Sequence, residues 1–222
     1  MKPDTPRSGL GLVKQMRHSV DQFIDRSTPA SRCLVPVMVA TPLIMAHLVM
    51  NWLALHDPDI RLALRPGVVW ALQAALGAAT DVFIVSGWWL WPRRHTMAPQ
   101  PVADVAVTLA VGLAYTAITI TSGAFTAGPN LVMLGALANG LLLFNRRTML
   151  IAFWACVSML VGYDAFVLAG QAPYAPAINA LAFNGDQPQW WWSFWRSAVF
   201  YSGLLGILIM LLVLFGRLDA VH

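Results

Sequence analysis

The chain has 222 residues, of which 58% are hydrophobic and 11% charged. A soluble domain carries roughly 25% charged residues, so a water-facing globular surface of this size is excluded and lipid must solvate much of the outside. The formal net charge of +4 comes from basic residues set between apolar stretches, a pattern of membrane topology rather than of nucleic-acid binding, and no nucleic-acid motif occurs.

Residues 1–32 are polar and basic and read as a cytoplasmic tail. Within them, Leu10, Val13, Met16, Val20, Phe23 and Ile24 recur at helical spacing. With Lys14, Arg17, Asp21 and Arg26 among them, residues 9–26 form an amphipathic helix suited to the inner membrane surface; a partly ordered tail is the alternative. Ser27-Thr28-Pro29 is read as ending that helix and turning the chain toward the membrane. The N-terminus lacks the features of a cleavable signal peptide.

Six apolar segments follow within 33–218, against the roughly 20 residues a spanning helix needs. They are 34–55, 67–91, 103–121, 130–144, 149–169 and 193–215. The fourth is short and, at ~1.5 Å per residue, reaches little more than ~20 Å. The expected fold is therefore all-α: a bundle of six transmembrane helices behind an amphipathic helix, with 219–222 as a cytoplasmic end.

Positive charge sets the expected orientation. Lys2, Arg7, Lys14, Arg17, Arg26 and Arg32 precede the first span, Arg93 and Arg94 fill the second connection, Arg146 and Arg147 the fourth, and Arg217 follows the sixth. Arg61 and Arg65 in the first connection are offset by Asp57 and Asp59, and the third and fifth connections hold no Lys or Arg. The alternation predicts a multi-pass protein of the bacterial inner membrane with both ends inside. Trp88, Trp89 and Trp91 then mark the inner interface, and Trp190, Trp191, Trp192 and Trp195 the outer one. The long fifth connection, 170–192, is expected to form a lid over the outer mouth.

Polar groups at membrane depth are costly and are the candidate ligand site by default. His47, Asn51, Asp81, Tyr115, Asn139, Tyr163, Asp164 and Arg196 form this set. His47 and Asn51 are four apart, hence on one helix face. Asp164 and Arg196 have matching depth and are expected to pair. Asn51, Asn139 and Thr116 have a second reading as interhelical hydrogen-bonding residues, and Asp104 reads as a solvated cap. Ala71, Ala75 and Ala79 suggest a close-packing face that puts the second span in the centre. Cys33 and Cys156 lack metal spacing and read as small packing residues.

Catalytic chemistry is missing. Only His47 lies well inside a span, which excludes multi-histidine haem ligation, and there is no HExxH, GxSxG or Gly-rich phosphate loop. No lysine follows Lys14, so no Schiff-base lysine is available in the bundle. The expectation is a non-enzyme with no metal and no cofactor.

The short Asn145-Arg146-Arg147 connection, the Gly170-Gln171-Ala172-Pro173-Tyr174-Ala175-Pro176 stretch and the Trp-rich start of the sixth span give residues 30–218 a layout that resembles the six-helix MASE-type membrane input modules of bacterial diguanylate and adenylate cyclases, and similar anchors of histidine kinases. The resemblance implies a sensory or regulatory module that acts as a homodimer and whose sixth helix continues into a cytoplasmic output domain beyond His222. It carries over no ligand-site residue. A small hydrophobic or amphipathic molecule bound between helices, and membrane lipid, are the expected partners. A small transporter and a structural subunit of a membrane complex are the alternatives.

Overall fold

The computed structural model describes residues 28–123, 143–184, 187–194, 197 and 201. The predicted amphipathic helix, nearly all of the predicted fourth span and most of the sixth lie outside these described residues, as do Asn139 and Arg196. The described part is helical: α1 (Pro29–His56), α2 (Pro58–Ala63), α3 (Pro66–Leu90), α4 (Pro101–Ser122) and α5 (Arg146–Leu168), with 3₁₀ turns at Trp91–Arg93 and Ala180–Ala182 and two short strands, β1 (Phe183–Asn184) and β2 (Gln187–Pro188). Four helices, α1, α3 with its 3₁₀ extension, α4 and α5, are long and apolar enough to cross a membrane. The chain is a helical membrane protein.

Local chemistry sets the helix starts. α1, α2, α3 and α4 all open on proline, whose fixed φ and missing N–H suit a first helical position. The Thr28 hydroxyl accepts from Ser31 N at 3.2 Å and caps α1. The Asp57 carboxylate accepts from Asp59 N and Ile60 N, both at 3.0 Å, and caps α2, while Asn145 accepts from Thr148 N at 2.8 Å and caps α5. Thr28-Pro29 thus starts α1 several residues before the expected 34; the expected end of the amphipathic helix at Ser27 lies outside the described residues.

α1, α4 and α5 run from one end of the bundle to the other, and α3 runs back. Arg32, Arg93, Arg94, Arg146 and Arg147 all fall at the first end, which we call the arginine end. There, Thr28 and Ser31 both donate to Arg94 O, at 2.5 and 2.8 Å, fastening the start of α1 to the end of α3. α4 packs against α1, α3 and α5, and 61% of its most apolar stretch is buried against 33% for α3 and 11% for α5. The centre of the described bundle is therefore α4, not the second span as expected. The core between α1, α3 and α4 is built on Ile44, Leu76, Phe83, Val107 and Ile118.

α4 and α5 lie side by side in the same direction. Their contact is close. Gly112 faces Cys156, and a Cβ there would stand 2.6 Å from Sγ. Thr116, one turn on, donates to Gly112 O at 2.8 Å and also meets the Cys156 thiol. Cys33 and Cys156 are both buried and unoxidised, in keeping with a packing role.

At the opposite end, the described residues of the fifth connection, 170–184 and 187–192, fold across the helix tips and form a lid there. Leu64 and Ile178 form an antiparallel bridge, Arg65 N donates to Ala177 O at 2.9 Å and Asn179 N to Ala63 O at 3.0 Å. Ala177 N in turn donates to Thr121 O at 3.1 Å, satisfying one of the carbonyls that a helix C-terminus leaves open. A second, smaller core, with Leu55, Leu64, Val69, Ile178 and Trp192 among its members, sits beneath. Trp192 is only 5% exposed, so it belongs to this core and not to the expected headgroup belt. Gly123 ends α4 at φ +105°, with the Tyr174 ring against it; a Cβ would be strained there on both counts.

Candidate ligand cavity

Just inside the lid, α1, α3 and α4 leave a cavity of about 230 Å³. Its walls are mostly apolar: Met50, Leu53 and Ala54 from α1, Val69 and Leu72 from α3, and Ile118 from α4. Trp190, Trp191, Trp192 and Phe194, the start of the sixth predicted span, close it from the side of the lid. Trp191 and Trp192 meet edge to face with ring centroids 5.9 Å apart, and Trp191 Nε1 donates to Gln189 Oε1 at 3.2 Å. Aromatic pairs in this geometry hold one another's orientation, which gives the roof a defined shape.

Four polar side chains reach the wall: Asn51, Asp57, Thr121 and Ser122. Asp57 Oδ1 is taken up in capping α2. The Thr121 hydroxyl donates to Ala117 O at 2.8 Å and Ser122 to Ile118 O at 2.5 Å. Each hydroxyl hydrogen is thereby used within α4, and only lone pairs remain to act as acceptors. Asn51 is 7% exposed, and its Nδ2 is sealed from solvent with no hydrogen-bond partner among the described residues. An unpartnered buried donor costs ~1–3 kcal/mol. That nitrogen is closed off from the cavity side as well, so the polar groups the lining residues leave for a ligand are oxygen acceptors, on Asn51, Asp57, Thr121 and Ser122, set in a mostly apolar wall. At ~30 Å³ per water, its volume corresponds to roughly seven or eight waters. That is below the ~300 Å³ at which pockets begin to hold drug-sized molecules.

Of the predicted site residues that fall among the described ones, only Asn51 lines this cavity. His47, one turn earlier on α1, is half-buried, with Nδ1 2.9 Å from Leu43 O. Tyr115 packs against the main core. Tyr163 donates to Pro173 O at 2.6 Å and so ties α5 to the lid. Asp164 is half-buried, and its Oδ1 has no hydrogen-bond partner among the described residues; its expected partner Arg196 lies outside them. Asp81 is exposed on the surface of α3, on the same side as Ala71, Ala74, Ala75 and Ala78. Of the three alanines expected on one packing face, only Ala79 is buried, because α3 meets α1 and α4 along Leu72, Leu76, Ala79, Thr80 and Phe83. Asp104 is no cap: Gln100 holds that position, and the half-buried Asp104 carboxylate accepts from the Cys33 thiol.

Sequence reasoning missed Thr121, Ser122 and the apolar wall. Thr121-Ser122-Gly123 was legible as a polar helix end. Nothing in sequence spacing shows that it faces Asn51 on a helix two spans away.

No family model, curated protein or solved structure matches the chain.

Proposed function

We propose that the chain is a membrane-embedded sensory or regulatory input module that takes a small amphipathic ligand into the cavity beneath the lid. The observation that carries this reading is the mostly apolar cavity beneath the lid, with Asp57, Thr121 and Ser122 on its wall and Trp190, Trp191 and Trp192 as its roof. A short hydrocarbon or aromatic body matches the wall, and one hydrogen-bond-donating head matches the Thr121 and Ser122 oxygens. Because the start of the sixth predicted span forms part of the enclosure, a ligand that changes the packing of Trp190–Phe194 would bias two arrangements of that segment. The segment would carry the difference toward an output domain at the arginine end.

Orientation and assembly belong to the same proposal. Five arginines gather at one end of the bundle, whereas Arg61 and Arg65 at the other stand beside Asp57 and Asp59; this supports a cytoplasmic arginine end in a bacterial inner membrane, with both termini inside. The exposed side of α3 supports a homodimer. Small residues let a second helix approach closely, and a second copy would remove the mid-span Asp81 from lipid. An Ala75→Cys variant should then cross-link between copies in membranes, and adding Ala78→Phe should abolish the cross-link.

The ligand reading is tested in nanodiscs with 6-bromohexan-1-ol, a short chain with a donating hydroxyl, whose bromine quenches nearby tryptophan. The expected result is a saturable quenching component that disappears in Ala54→Phe, with slowed hydrogen exchange at 190–194 on saturation. Quenching that rises only in proportion to membrane partitioning, and equally in Ala54→Phe, refutes the site. Saturable binding that leaves exchange at 190–194 unchanged refutes the signalling step.

A further inference from the structure

A second concavity lies at the arginine end, a bundle length away from the cavity beneath the lid. It runs between the early turns of α1, at Leu34, Val37 and Met38, and the last turn of α3, at Gly87, Trp88 and Trp89, with Arg93 at its head. Its volume is about 650 Å³. Gly87 keeps it open, because a Cβ there would already touch Val37 Cγ1 at 3.5 Å. Met38 and Trp88 are both exposed, so the groove faces the lipid. From Gly87 to Arg93 the helix rises ~9 Å at ~1.5 Å per residue, the span from the upper acyl chains to the headgroup level.

The head of the groove is built for an anion. Arg93 lies over the Trp89 ring at 4.4 Å and donates to Trp89 O at 2.7 Å. Arg94 lies over the Trp91 ring at 4.6 Å and donates to Trp91 O at 2.8 Å. Each guanidinium is thus held on an aromatic platform by one of its five donors. Among the described residues no carboxylate pairs with either. The backbone beneath them is fixed, since Thr28 and Ser31 both donate to Arg94 O. Positioned guanidinium forks match phosphate oxygens in geometry as well as charge, and basic pockets between spans select anionic headgroups.

We propose that this groove is a discrete binding site for one anionic phospholipid, its phosphate on Arg93 and Arg94 and an acyl chain along Leu34, Val37 and Gly87. The comparison surface is the exposed groove at Arg146, Arg147 and Trp154, where neither arginine shows a ring platform or a hydrogen bond among the described residues. Two half-buried, oriented arginines distinguish the first groove from general attraction to a charged membrane.

The test is native mass spectrometry of the full chain released from mixed micelles of phosphatidylglycerol and phosphatidylcholine. One retained phosphatidylglycerol is expected in preference to phosphatidylcholine. Arg93→Gln with Arg94→Gln should weaken retention about thirty-fold, or about 2 kcal/mol at ~1.4 kcal/mol per decade. Gly87→Leu, which fills the groove and keeps both charges, should weaken it as well, and Arg146→Gln with Arg147→Gln should not. Equal retention of both lipids, equal loss in the 146/147 variant, unchanged retention in Gly87→Leu, or displacement by millimolar sn-glycerol 3-phosphate would each overturn the proposal. Thermal unfolding of every variant within a few degrees of the parent confirms that folding is not the cause.

Discussion

Replacing Gly112 by alanine puts the close approach of α4 and α5 to a quantitative test. The new Cβ would stand 2.6 Å from Cys156 Sγ, about 1 Å inside ordinary contact for such atoms. Sγ is one bond from its own Cβ and cannot swing away as a long side chain would. Cys156 is fully buried, in a small cluster with Met149 and Ala152. Overpacking of this kind costs ~1–3 kcal/mol, and the helix propensity of Ala over Gly returns at most ~1 kcal/mol. The net loss is about 1–2 kcal/mol, a fall of ~2–8 °C in the unfolding midpoint for a chain of this length. Cys156→Ala alone should also destabilise, because it removes the sulfur and its contact with Thr116. In the double variant the methyl introduced at position 112 occupies the space the sulfur left, so the two losses should not add. A coupling of ~1 kcal/mol or more in favour of the pair is expected, read from thermal unfolding of the four proteins in one detergent. The propensity gain cancels around this cycle. Additive losses, or a Gly112→Ala variant more stable than the parent, would refute the close parallel pairing of α4 and α5.

Three further outcomes follow from the opposite end. Asn51→Leu removes a buried donor that has no partner among the described residues and keeps a similar volume, so the ligand-free chain should gain ~1 kcal/mol in thermal or denaturant unfolding; a loss of stability would mean the amide is already satisfied. Gly123→Val places a β-branched residue at φ +105° with the Tyr174 ring beside it, and the ~1–3 kcal/mol of strain should appear as at least tenfold faster amide exchange at Ala177, whose N–H is held by Thr121 O. Tyr163→Phe deletes the bond to Pro173 O and should speed exchange at Gln171 and Ala172 with the global midpoint moved by no more than ~2 °C; a cooperative loss would show that the lid and bundle unfold together.

The four described long helices were legible because each is an unbroken apolar run, and hydropathy responds to runs. Their starts were less so. Hydropathy begins counting at Leu34, Gly67 and Ala103, whereas the helices begin at Pro29, Pro66 and Pro101. Proline is a poor interior residue but a good first one, and the sign of that signal depends on knowing which side of it is helical. α2 was missed because a six-residue helix has too few turns for periodicity to register. Site residues were chosen by polarity at depth, a criterion that says nothing of azimuth. It therefore placed buried Asn51 and exposed Asp81 in one set, although they fall on different surfaces of the bundle. Trp192 was misread for a related reason. Tryptophan is apolar enough for a core and polar-tipped enough for an interface, and only the lid, folding back through Ala177 and Ile178, decides between them.

The lid also explains why the cavity persists. A void between three lipid-embedded helices would ordinarily collapse by a small helix shift, because lipid imposes no hydrophobic penalty on such a motion. Here α2, which continues from α1, and the tips of α3 and α4 are tied to the lid. Asn179 Nδ2 donates to Leu62 O and Asn179 N to Ala63 O, Arg65 N donates to Ala177 O, and Ala177 N to Thr121 O, so these helix ends are registered through one loop. The space left beneath, with an amide nitrogen that nothing in the described chain satisfies, is then a consequence of the lid's covalent length. Shortening the lid by deleting Asn179 should remove that registration, let α1 close on α4, and abolish the saturable site together with the slow exchange of Ala177, while the distant Gly112–Cys156 coupling is retained. Loss of that coupling at the same time would show that the bundle, and not the lid, sets the spacing.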